Sequence, residues 1–185
     1  MVNINSKAFL FTSFLIIFIV LSGCERSPNI KSTKNFDGSN FSFSYPGNWE
    51  ITEDLFIENI RNITIESPGA AIFIIQEWPK KEFGSTTLRE YAYSLSSNSE
   101  EELPFGSISK NSFKDIETSY PLGGIKGIRE TFTITLISQN VPHIRDTFFK
   151  KSKNNIVILV AQVATEDYKK VEPGFVHILN SFNLK

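Results

Sequence analysis

Two stretches limit the fold of this chain more than any others. Residues 70–78 contain Ile72-Phe73-Ile74-Ile75, and residues 156–164 run almost without interruption through Ile, Val, Leu and Ala. Neighbouring side chains of an extended strand point to opposite faces, so a strand apolar at successive positions needs cover on both sides. A chain with two such strands predicts a sheet buried between two layers, with both strands paired near its middle.

The remaining segments supply the layers. Phe41-Ser42-Phe43-Ser44-Tyr45 alternates cleanly, with three aromatics on one face. Pro46-Gly47-Asn48 is turn chemistry, Trp49-Glu50-Ile51 restarts an extended run, and residues 62–66 form another strand ended by Ser67-Pro68-Gly69. Trp49 reads as core rather than as a ligand platform, because an apolar pattern flanks it. Over residues 87–97 the period changes. Leu88, Tyr91, Ala92 and Leu95 make a helical stripe, and Thr87 with Glu90 has capping-box spacing. Residues 99–104, with three glutamates, read as an acidic surface loop. Residues 105–119 predict one or two strands, and residues 128–137 a long alternating one. Residues 138–142 read as a hairpin connection, and residues 143–151 as its return strand. Thr165-Glu166-Asp167 opens a final helix with a stripe through Val171, Phe175, Ile178, Leu179 and Phe182, which Pro173 should kink or restart. Seventeen Phe against one Met imply a core of rigid aromatic side chains.

The amino-terminal segment has a different character. Lys7 precedes a nearly apolar run at residues 8–20, too short to cross a bilayer core of about 30 Å. It has the anatomy of a secretory signal and ends in Leu21-Ser22-Gly23-Cys24, which contains the single cysteine. The segment resembles bacterial lipoproteins, whose lipobox reads Leu-small-small-Cys. The resemblance implies cleavage after residue 23, transfer of a diacylglyceryl group to the Cys24 thiol, and acyl chains such as palmitate holding the product to a membrane. Lipidation also accounts for an odd cysteine in an exported chain. Two or more acyl chains give stable anchoring, so membrane lipid is the first expected partner. The expected residence is the cell membrane or outer membrane, facing periplasm or exterior. The organisation read from the sequence is thus a signal peptide at 1–23, a lipidated residue and flexible tether at 24–40, and one globular domain at 41–185. Sixteen flexible tether residues would span roughly 22 Å.

Only Lys7 among the 19 basic residues lies in the signal region, and none of the 20 acidic residues does, so the remainder has a formal charge near −2. That excludes the basic footprint of a nucleic-acid binder. No Walker loop, dinucleotide fingerprint or Gly-x-Ser-x-Gly elbow occurs. His143 and His177 are the only histidines and form no metal-ligand spacing. Glu130 falls on the apolar face of its strand. It reads either as a functional carboxylate or as a core-edge residue paired with a lysine such as Lys150. Lys150, Lys151 and Lys153 cluster beside a turn, as a charged hairpin tip or as a contact for anionic lipid.

From Phe41 to Ile51 the sequence Phe-Ser-Phe-Ser-Tyr-Pro-Gly-Asn-Trp-Glu-Ile resembles the opening of the PsbP-like family. Gly-Ile-Lys-Gly-Ile-Arg at 124–129 is similar to that family too, as is the final strand and helix closing in Ser181-Phe182. The resemblance implies an α+β fold, an α/β/α sandwich with a central antiparallel sheet flanked by helices, shared with Mog-type Ran-binding proteins. Its members include extrinsic photosystem II subunits, secretion-system accessory proteins and bacterial lipoproteins. The fold carries no common catalytic residues, so the resemblance transfers none, and no catalytic site, cofactor or metal is expected here. The expected function is a membrane-anchored, non-catalytic binding or assembly accessory module of the cell envelope, with a protein partner. The alternative is a small envelope hydrolase or ligand-binding lipoprotein using Glu130, Asp146 and a histidine in one cleft.

Overall fold

The computed structural model of the chain describes residues 26–101, 106–118, 124–136 and 139–185. The signal region and Cys24 lie outside the described residues. A seven-stranded, wholly antiparallel sheet forms the centre. Its strands are β3 (Glu50–Ile57), β4 (Ile60–Glu66), β5 (Ile72–Pro79), β6 (Gly106–Glu117), β7 (Lys126–Leu136), β8 (Gln139–Lys151) and β9 (Asn155–Ala164), in the order β3-β4-β5-β9-β8-β7-β6. Two meanders meet where β5 pairs with β9. These are the two strands that are apolar on both faces, and β9 is the middle strand of the seven.

Each face has its own cover. On one side, helix α3 (Tyr168–Ser181) and a small sheet of β1 (Thr33–Asp37), β2 (Phe41–Pro46) and β10 (Asn183–Leu184) pack on Ile63, Ile65, Phe73, Ile75, Leu159 and Phe148. Trp49 is fully buried there, edge-on to Phe175 with ring centroids 5.5 Å apart, so it belongs to the core. On the other side lie the short helix α1 (Lys80–Phe83) and helix α2 (Leu88–Glu101), whose Phe83, Tyr91 and Leu95 cover Ile72, Ile74, Trp78 and Ile158. The predicted capping box is formed: Thr87 N–H donates to Glu90 Oε2 at 2.8 Å, and Glu90 N–H donates to Thr87 Oγ1 at 3.2 Å.

Several expectations are corrected. The tether assigned to 24–40 contains β1, paired along its length with β2, so the ordered domain starts well before Phe41. Only Phe36 of that strand turns inward; it stacks on Phe43 at 4.9 Å and joins the core edge. Residues 99–101, read as loop, continue α2, and Ser99 is buried. The connection placed at 138–142 is shorter, because β7 and β8 already pair at Leu136 and Gln139. Pro173 sits within α3 rather than at its start, on the exposed side. There water can take the carbonyl bond that proline cannot donate to.

Candidate functional site

The chemistry of the domain concentrates on two successive rungs of the β7–β8 ladder. Arg129 stands opposite Asp146, and Glu130 stands opposite Arg145. Because side chains alternate across the sheet, the first pair faces α3 and the second faces α2. The two ion pairs are therefore back to back, with reversed polarity.

Beneath α2 the pair is enclosed. Arg145 Nη1 lies 3.1 Å from Glu130 Oε2, with both side chains 3% exposed or less. Arg145 also donates to Gln162 Oε1 at 2.7 Å and to Ser99 Oγ at 3.2 Å, and its guanidinium lies 4.7 Å from the centre of the Phe132 ring. Ser96 Oγ donates to Glu130 Oε1 at 2.5 Å, and Asn111 Nδ2 reaches both. Burial pulls the Arg145 guanidinium below its ordinary range, against the opposing pull of Glu130. Next to it Tyr91 Oη donates to Gln76 Oε1 at 2.5 Å, and burial pushes that phenol well up. Ser96 and Ser99 are α2 residues, so this network fastens the helix to the sheet. Glu130 is thus a paired core residue, and its partner is Arg145. Lys150 instead donates to Phe182 O at 2.8 Å on the other face.

Facing α3, the second pair is part-buried, with its arginine reaching solvent. Arg129 Nε and Nη2 each donate to Asp146 at 2.7 Å, a bidentate fork in which the arginine side chain is 28% exposed and the aspartate 8%. Tyr168, the first residue of α3, stacks its ring 4.6 Å from the guanidinium and accepts a further bond from it. Hydrogen bonding to Asp146 raises the guanidinium above its usual range, while burial first and Asp146 second raise the Tyr168 phenol. These groups wall a cleft of about 310 Å³ between α3 and the β6–β9 half of the sheet. Phe148, Phe175 and Leu179 line its apolar part, and Glu117, Thr118 and Glu172 its polar part. Sequence reasoning did not find the cleft. Arg129 and Tyr168 become partners only once β7, β8 and α3 are assembled.

The constellation of Glu130, Asp146 and a histidine is not brought together. Glu130 and Asp146 occupy opposite faces. His143 is buried against Phe132, with centroids 5.5 Å apart, and its Nδ1 is 2.9 Å from Val141 O. His177, on α3, lies 2.8 Å from Ser44 Oγ in the small sheet. Burial lowers both imidazoles. Among the described residues no cluster of three His, Cys, Asp or Glu side chains is placed to hold a metal ion, and no helix is long and apolar enough to cross a membrane.

The sequence matches no known family and no curated protein. The backbone is similar to the solution structure of cyanobacterial PsbP (CyanoP) from Synechocystis sp. PCC 6803, with a TM-score of 0.53 and 9% identity over 84% of this chain and 94% of that one. The fold is PsbP-like. A weaker likeness, TM-score 0.41 at 9% identity over 83% of this chain and 91% of that one, links it to LpqN, a Mycobacterium tuberculosis protein involved in cell envelope biogenesis. Within this PsbP-like frame the α3 cleft is the open, chemically mixed site of the described residues, and the α2 network is its closed counterpart.

Proposed function

We propose that the protein is a lipoprotein of the bacterial cell envelope, anchored through acylated Cys24, whose PsbP-like domain acts as a non-catalytic binding or assembly module. The observation that supports this best is the α3 cleft. Its ion pair is saturated internally by Asp146 and Tyr168, so it shapes a wall rather than presenting a reactive group. The apolar floor and the carboxylates of Glu117 and Glu172 at the polar side suit a partner segment that offers an aliphatic or aromatic side chain next to a Lys or Arg.

The test is site-specific photocrosslinking in intact cells, with the crosslinker replacing Thr118 or Glu172 and a control at Tyr93 on α2. A discrete partner captured from the cleft positions and not from the control supports the reading. Recovery of the chain always alone counts against it. A small ligand is the second reading, favoured by the cavity volume, which falls at the lower end of small-molecule sites. Ligand bound to the purified protein, lost on Phe175→Ala, would select it.

A further inference from the structure

Strand β1 and the residues just before it leave little slack between Cys24 and the folded domain. The chain is pinned almost as soon as it leaves Cys24. Asn29 N–H donates to Asn48 Oδ1 at 2.7 Å, Asn48 Nδ2 donates to Ser27 O at 3.1 Å, and Gly47 N–H donates to Asn29 O at 3.1 Å. Pro28 lies against Gly174 on α3, where an added Cβ would come within 2.9 Å of the proline Cβ. Only three residue steps separate Cys24 from Ser27, and a fully extended chain covers roughly 10 Å in that distance. That is close to the screening length of about 8 Å at physiological ionic strength, so charges on the pinned segment feel the lipid surface.

We infer that residues 26–34, with the turn they are tied to, form a membrane-facing surface that seats the domain in a fixed orientation on anionic lipid headgroups. Residues 26–36 include Arg26, Lys31 and Lys34 and no carboxylate, with Glu25 and Asp37 as the acids on either side; Asp37 is paired with Lys185, and Lys34 Nζ donates to Trp49 O at 2.8 Å. Ile30, at 46% exposure, is a large apolar side chain offered to solvent from the same segment. A basic strip with one protruding aliphatic side chain matches the chemistry of a headgroup layer over acyl chains. The orientation turns α2 away from the bilayer. The inference rests on the lipid anchor proposed above.

The test uses the full lipidated chain reconstituted in vesicles of neutral lipid with about one-third phosphatidylglycerol, an anionic content that gives basic residues an attractive surface. Single cysteines at Ile30→Cys, Tyr93→Cys and Lys153→Cys receive an environment-sensitive fluorophore, and a headgroup-attached quencher reads proximity. Mass analysis of the same samples establishes acylation of Cys24. The expected result is strong quenching at position 30, several-fold above positions 93 and 153. Quenching at 30 should weaken in Lys31→Glu and after a Gly/Ser stretch is inserted following Arg26. Equal quenching at all three sites on acylated protein, or the strongest quenching at 153, overturns the orientation and leaves the anchor standing. A bare Cys24 thiol in protein isolated from cells overturns both.

Discussion

Replacing Arg145 by Met strands a carboxylate. Glu130 is 2% exposed and, among the described residues, keeps Ser96 and Asn111 as donors once the guanidinium is gone. The substitution also leaves Gln162 Oε1 and Ser99 Oγ without the arginine they accept from. Removing one member of a buried ion pair costs about 3–5 kcal/mol, because the desolvated partner loses its compensation. For a domain of this size each kcal/mol moves Tm by about 2–4 °C, so Arg145→Met should lower Tm by about 6–20 °C. Adding Glu130→Gln to that variant removes the stranded charge and should restore stability. The double variant is therefore expected above Arg145→Met, with a coupling of about 0.5–3 kcal/mol between the two sites. Urea titrations of the four proteins of the cycle read these differences directly. A loss below about 1 kcal/mol for Arg145→Met, the range of solvent-exposed pairs, would refute the enclosed network. So would a double variant no better than the single.

Three further outcomes follow from the same geometry. His143 and His177 have pKa values pushed down by burial, against about 6.5 in the unfolded chain. Their contribution to stability is complete above that pH and is lost as pH falls below it, because the unfolded chain takes up the protons first. His143→Phe should flatten the acid side of a stability-versus-pH curve below about pH 6.5, measured by urea unfolding. Gly174→Val drives a side chain into Trp49 and Pro28, where a Cβ alone would lie 2.7 and 2.9 Å from them. A cost of about 1–3 kcal/mol is expected from overpacking, together with a change in tryptophan fluorescence. Thr87→Ala breaks the capping box of α2 and should cost about 1 kcal/mol in a thermal melt.

The large features of the fold were legible because they follow from periodicity. The doubled apolar runs of β5 and β9 required two covering layers. The stripe of Leu88, Tyr91, Ala92 and Leu95 behind Thr87 marked α2 almost to the residue at its start. What escaped was set by neighbours distant in sequence. β1 is an edge strand with mostly exposed side chains, and Thr33, Lys34 and Asn35 present no alternation to read. Ser99 looked like loop because three glutamates follow it, yet its hydroxyl is held from β8 by Arg145. The partner of Glu130 depended on where the hairpin turns. With the connection at 138–142, the residue opposite Glu130 is Lys150. With Leu136 paired to Gln139, it is Arg145. A displaced turn thus exchanged a half-buried lysine for the arginine that anchors α2, and hid the reversed pair Arg129–Asp146 that walls the cleft.

The lipid anchor is tested by intact-mass and amino-terminal peptide analysis of the protein extracted from membranes of its own cells. The expected product is a chain beginning at Cys24 with a thioether-linked diacylglyceryl group. A free thiol at that residue, or a chain retaining Met1, would contradict it.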